Sequence, residues 1–337
     1  MKFWRLIILS LLGFSLVFQS CKKDEEETKN YMTGTLKYVF PEFVEPGYSK
    51  SFCIDSLMLM SRDDGGPVGY YYTDAKGKRD TLVNGDGEIL KKNFTISIHD
   101  TIATLNTTFS AFAKDDYYGS SRSVSFTIVK DGLDGDGSIT NFKKNDADQS
   151  FVDERDGKKY LYTEIDGVYW MRQNLAWEGA GKAFKDYDVM SDIFGRYYSW
   201  EEAQNACPEG WTLPSDEDWV SLGKIYGESS SVHKDIKGLA GDIMGDLHFN
   251  GTKMWEFWRD VKITDKAALS VMPAGYAVIS DGDFDFQELY KYAALWTADS
   301  DEGNAGLRYI YHDKDIVYYG KVSKSDFAAN VRCIRKK

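Results

Sequence analysis

The side chains that could do chemistry are scattered along this chain. Cys21, Cys53, Cys207 and Cys333 form no Cys-x-x-Cys, and His99, His233, His248 and His312 form no His-x-x-x-His, so zinc-site spacing is absent. Carboxylates abound, with 53 Asp and Glu residues. A glycoside-cleaving pair must stand about 5 to 10 Å apart across a sugar, and spacing along the chain singles out none; the acidic stretch Ser280 to Asp285 reads equally well as a turn. Asp131 to Ser138 alternates Asp and Gly as a calcium loop does. Leu133 at its third position and no Glu at its twelfth fail the EF-hand pattern, leaving a flexible linker. No phosphate-cradling glycine loop or dinucleotide fingerprint occurs. What remains is binding chemistry. Sugar rings offer apolar C–H faces rimmed by hydroxyls, and flat aromatics beside carboxylates and amides match them. Trp255, Trp258, Tyr276, Asp299, Asp301, Glu302 and Asn304 supply that vocabulary and are the candidate ligand-binding residues. The reading is non-enzymatic, with no catalytic residue, cofactor or metal.

The elements that must position these residues begin with an address. Lys2 and Arg5 precede an apolar run, Leu6 to Phe18, that ends at Gln19, Ser20 and Cys21. This is the pattern of an export signal, too short to cross a bilayer permanently. A cysteine at the cleavage point resembles the bacterial lipoprotein signal, with residues 1–20 removed and Cys21 acylated. Lys22 to Glu27 is a charged tether (21–30) with no apolar surface to bury. A lysine followed by an acidic run resembles the surface-export signal of Bacteroidetes lipoproteins. The resemblance implies an outer-membrane lipid anchor at Cys21 and an extracellular-facing protein. The net charge of −12 excludes phosphate backbones, and with them nucleic acid, as natural partners.

A length of 337 residues fits about two domains. All nine tryptophans except Trp4 lie between Trp170 and Trp296, a composition shift that divides the chain. Residues 31–130 carry short alternating runs. Phe94, Ile96 and Ile98 alternate with polar residues, as do Val124, Phe126 and Ile128, which reads as an all-β, immunoglobulin-like sandwich serving as a spacer. Residues 131–147 are an Asp/Gly-rich linker. From 148 to 337, strand and helix signals mix. Ser199 with Glu202 reads as a capping box, and Ser215 before three acidic residues reads as a second helix start.

Six blocks then occur in order: Asp153 to Gly157, Gly167 to Leu175, Cys207 to Trp219, Met272 to Tyr276, Leu295 to Thr297, and Asn330 to Ile334. In these the chain resembles the Fibrobacter succinogenes major paralogous domain over roughly 148–337. The Gly-Trp-x-Leu-Pro-x-x-x-x-Trp block and the terminal Arg-Cys are also similar to sulfatase-modifying-factor relatives. The resemblance implies a cell-surface, α+β domain of C-type lectin-like fold with no general activity. Cys207 and Cys333 lie in matching blocks of one domain and pair on that basis as a disulfide, leaving Cys53 as a small buried hydrophobe. Trp170, Trp211, Trp219 and Trp296 sit inside the blocks and read as core; Trp255 and Trp258 sit outside them, and at least one of the two reads as ligand-facing. The expected function is a surface-anchored, non-catalytic module for glycan binding or adhesion. The alternatives are a structural or protein-docking component of a cell-envelope assembly and an unassigned hydrolase. Partners are therefore the membrane lipid and an extracellular glycan or surface protein.

Overall fold

A computed structural model describes residues 32–98, 103–115, 117–130, 137–143 and 149–337. The signal peptide, Cys21, the tether, His99 and the Asp/Gly run 131–136 lie outside the described residues. No helix among the described residues is long and apolar enough to cross a membrane.

The N-terminal portion is built of strands, with one four-residue helix, Ile54–Leu57. Phe43–Val44 runs parallel to Ser120–Ile128, and Thr104–Phe112, Gly69–Thr73 and Arg79–Val83 follow antiparallel in one five-stranded sheet. Two antiparallel ribbons, Thr33–Leu36 with Met58–Ser61 and Ser49–Cys53 with Asn93–Ser97, complete it in place of the second full sheet of an immunoglobulin-like sandwich. The period-2 pattern explains the packing: Phe94, Ile96 and Ile98 point inward, as do Val124, Phe126 and Ile128, and they meet Phe52, Tyr72 and Phe109 in one aromatic-rich core. Cys53 is half-buried, its Sγ 3.9 Å from Asp55 Oδ2, so it is not the buried hydrophobe expected.

The C-terminal portion differs from the α+β expectation. Strand outweighs helix across the protein, 42% to 12%, and no α+β lectin-like domain is evident. Four small antiparallel sheets carry this portion. One joins Gln149–Val152, Lys159–Ile165, Val168–Met171 and Ile334–Lys336; another joins Ile236–Lys237, Ile316–Ser323, Asn304–Tyr311 and Tyr292–Ser300. A third contains Tyr198–Ser199, Phe327–Ala329, Tyr276–Ser280 and Asp283–Gln287, and a fourth pairs Ile139–Thr140, from the expected linker, with His248–Phe249 and Thr252–Lys253. The expected capping box of Ser199 with Glu202 forms, and the expected helix start at Ser215 proves to be a second box, with Asp218. The helices they open are short, Trp200–Ala206 and Asp216–Tyr226, the first running into Cys207 and Pro208 and the second into Gly227. A cap fixes where a helix begins; here breakers soon end both.

Trp170, Trp211, Trp219 and Trp296 are all buried. Cys207 and Cys333 form a disulfide with their Cα atoms 5.8 Å apart, tying the end of the first helix to the start of the last strand. Two arginines are interior supports. Arg332 donates to Asn174 Oδ1 and to the carbonyls of Leu269 and Ser270, while Arg172 donates to the carbonyl of Ala268 and to the Ser270 hydroxyl. Burial pulls the Arg332 guanidinium down to about 9, with Asp265 opposing that shift.

Candidate functional site

The expected ligand-binding residues are not brought together. Trp255 is 1% exposed, its Nε1 donating to the Val271 carbonyl at 3.0 Å, so it faces the core and not a ligand. Trp258 is 41% exposed beside Phe257 at 77%, with its ring 6.0 Å from that of His312 and a cavity of about 220 Å³ alongside. His312 Nδ1 stands 3.5 Å from Glu256 Oε2. Asp299, Asp301, Glu302 and Asn304 occupy the opposite end of the hairpin formed by Tyr292–Ser300 and Asn304–Tyr311. Eight strand residues rise roughly 25 Å, so one sugar cannot span both ends. Asp299 is also committed internally, its Oδ2 accepting the Asp216 N–H at 2.6 Å. Asp301 accepts from Lys321 at 2.9 Å and from the Asn304 N–H; Lys321 foremost holds its carboxyl down at about 2. Glu302 and Asn304 are exposed at the turn.

Tyr276, by contrast, belongs to an ordered array. Register places Tyr292 opposite Tyr311 and Tyr309 opposite Tyr318, and because side chains alternate along a strand, all four share one face. Tyr309 stacks on Tyr318 at 5.1 Å and 12° and on Tyr292 at 5.5 Å and 26°. Tyr276 meets Tyr292 edge-on at 5.3 Å and stacks on Phe327 at 5.0 Å, extending the row from the neighbouring sheet. Three rings thus stand side by side. Tyr311 lies across them, at 65° to Tyr292, 90° to Tyr309 and 78° to Tyr318. At 43% exposure it is the most open ring of the row. Gly320 makes room: a Cβ there would come within 3.0 Å of the Tyr309 ring.

The hydroxyls of Tyr276, Tyr309, Tyr311 and Tyr318 have no hydrogen-bond partner among the described residues. Burial raises the pKa of Tyr276, Tyr309 and Tyr318; Glu288 and Asp285 add to this at Tyr276, Asp235 at Tyr309, and Asp313 and Asp235 at Tyr318. The phenols of Tyr276, Tyr309 and Tyr318 therefore stay neutral and able to donate. Asp235 is fixed beside this edge, its Oδ1 accepting the Tyr319 N–H at 3.0 Å. Rigid rings, free hydroxyls and flanking carboxylates can bind a polyhydroxylated ligand by stacking and hydrogen bonding together. The alternation Tyr309-x-Tyr311 is visible in the sequence, but the pairing with Tyr318 and Tyr292 is not.

Two further features complete the surface. A cleft of about 880 Å³ opens where Glu42, Phe43 and Thr127 meet Phe184, Lys185, Lys253 and Tyr290. Its charges are paired internally: Lys185 contacts Glu42 at 2.7 Å and Lys253 contacts Asp246 at 2.6 Å. Among the described residues, no group of three or more His, Cys, Asp or Glu is placed to hold a metal ion.

These placements predict a separation of roles. Trp255→Phe removes the bond to Val271 and some packing, so it is expected to cost about 1–3 kcal/mol in urea unfolding and leave ligand retention unchanged. Lost retention in a folded Trp255→Phe protein would return that residue to the ligand site.

No curated protein matches the chain. It is similar, at 10% identity, to a solved quinonprotein alcohol dehydrogenase-like protein from Bacteroides thetaiotaomicron, over 90% of this chain and 99% of that one. The TM-score of 0.18 makes that likeness uninformative about fold or activity. The model of the Fibrobacter succinogenes major domain matches residues 163–335, a span that contains the whole tyrosine row and both cysteines of the disulfide. By that match, the chain belongs to the Fibrobacter succinogenes major domain family.

Proposed function

We propose that this protein is a non-catalytic binding module, tethered at the cell surface through Cys21, that engages extracellular glycan with the tyrosine row Tyr276, Tyr309, Tyr311 and Tyr318. One observation carries the reading: rings held in register across neighbouring strands leave Tyr311 open and a line of hydroxyls unpartnered. Tyrosine presents large, rigid, amphipathic area at little entropic cost, which suits a contact surface. A binding role also accords with the disulfide, which leaves neither Cys207 nor Cys333 as a thiol. The surface address rests on the lipoprotein-like run ending at Cys21.

The test is retention of the purified protein on insoluble and arrayed glycans, with elution by free sugar and with EDTA as a parallel arm. Competed retention supports the reading, and the EDTA arm is expected to change nothing. Tyr311→Ala, which removes the most open ring, is expected to weaken binding by about tenfold or more. A second reading, protein docking, is favoured by the adjacent exposure of Phe257 and Trp258. It predicts cross-linking to an envelope protein that Phe257→Ala with Trp258→Ala abolishes, together with no glycan retention.

A further inference from the structure

The charge around the tyrosine row selects among glycans. Several aromatic rings elsewhere are covered by the protein's own cations. Arg335 lies over Tyr169 and Trp211 at 4.9 and 5.1 Å, Arg155 over Trp177 at 4.0 Å, Arg79 over Tyr71 at 3.9 Å, and Lys324 over Trp200 at 4.4 Å. Among the described residues, no lysine or arginine lies over Tyr276, Tyr292, Tyr309, Tyr311 or Tyr318. The nearest lysine in sequence, Lys291, is turned to Glu256 at 3.7 Å.

Carboxylates gather there instead. Asp235 is held at the strand edge by the Tyr319 N–H, and Asp313 follows Tyr311 by two residues. Glu288 follows Gln287, which pairs with Tyr276 across the hairpin, and Asp285, two residues before Gln287, accepts its side-chain amide at 2.6 Å. Each ring face carries negative quadrupole potential, and the carboxylates reinforce it. We propose that the tyrosine row recognises glycans bearing free, protonated amino groups. This rests on the glycan-binding reading above and specifies the ligand class of the same site. An ammonium over the open face of Tyr311 gains cation–π attraction and a nearby carboxylate acceptor, while the sugar hydroxyls meet the tyrosine hydroxyls. A neutral sugar has only the stacking and hydrogen bonds, and a uronate is repelled. A basic peptide shares the charge but lacks the run of ring hydroxyls that the phenols can answer.

The experiment titrates the purified protein with four probes: glucosamine oligomers, the matching N-acetylglucosamine oligomers, polygalacturonate and oligolysine. The glucosamine chain is expected to bind about tenfold tighter than its acetylated counterpart, and added salt is expected to narrow that gap. Glu288→Gln with Asp285→Asn, both at exposed positions, is expected to weaken the glucosamine chain more than the acetylated chain and so to reduce the preference. The proposal is overturned by equal affinity for the two chains, by binding of polygalacturonate, or by oligolysine binding where glucosamine oligomers do not. Equal binding of the two chains removes the amine selection and leaves the glycan reading standing. No binding of any glycan removes both.

Discussion

Reducing the Cys207–Cys333 bridge, or replacing Cys333 with Ala, is expected to cost about 4–5 kcal/mol of stability. The bridge closes a loop with a sequence separation of 126. For a loop of this size the chain-entropy model places nearly all of the effect in the unfolded ensemble. A folded-state component adds to it. Cys333 is buried and immediately precedes Ile334–Lys336, the strand that pairs with Val168–Met171 and is the last element of its sheet. Unbridged, that strand keeps its three paired positions, the packing of Ile334, the Lys336–Asp218 ion pair at 2.8 Å and Arg335 over Tyr169 and Trp211, but loses its covalent tie to the helix end. Urea unfolding followed by tryptophan fluorescence, with and without reductant, measures the effect as a fall in midpoint at unchanged slope. A loss below about 1 kcal/mol would mean that the unfolded chain is already restricted without the bridge.

The second large effect belongs to Asp216. Its Oδ1 receives Arg308 Nε at 2.7 Å, with Nη2 2.6 Å from the same oxygen, and both side chains are fully buried. Its Oδ2 accepts the His233 N–H, and Arg308 Nη1 donates to the Lys234 carbonyl. This pair pins the start of the Asp216–Tyr226 helix and the loop before Ile236 to the centre of the Tyr292–Ser323 sheet. Burial works against the Arg308 charge and lowers its pKa, while Asp216 opposes that shift. Asp216→Asn keeps the shape and an acceptor but removes the counter-charge, so it is expected to cost about 3–5 kcal/mol. Arg308→Met in the same background removes the stranded cation, and the double variant should lose less than the sum of the single losses. A strictly additive cycle would show that the two groups are not coupled.

Local signals in the sequence were faithful guides. Ser199 with Glu202 and Ser215 with Asp218 mark true helix starts because a capping box is completed within four residues. Phe94, Ile96 and Ile98 mark a buried strand face because alternation is itself the strand's geometry. The cysteine pairing came with the family blocks and not from spacing. The architecture of 148–337 departs from the expectation because two helix caps and a lectin-like resemblance say nothing about the strands between them: hairpins supply most of the pairing, and short distant pairings such as Val168–Met171 with Ile334–Lys336 and Tyr198–Ser199 with Phe327–Ala329 join them into sheets. The site was half legible for the same reason. Composition names aromatic residues without saying which way they face, so Trp255, which lies in the core, was grouped with Trp258, which does not. Asp299 carries a sugar-binding residue type but is taken up by the Asp216 N–H. The sequence marks Tyr276 but not Tyr309, Tyr311 and Tyr318, since their meeting depends on the register of three strands and the opening at Gly320.

In the proposed function, ligand meets the tyrosine row and not the tryptophan loop. The most direct measurement takes the glycan that the intact protein retains best and compares Tyr311→Ala with Phe257→Ala/Trp258→Ala, after thermal unfolding has shown both to be folded. Tyr311→Ala is expected to lose about tenfold or more in affinity while the loop variant binds as the intact protein does. Unchanged binding by Tyr311→Ala together with loss in the loop variant would contradict that reading and place the contact surface at Trp258.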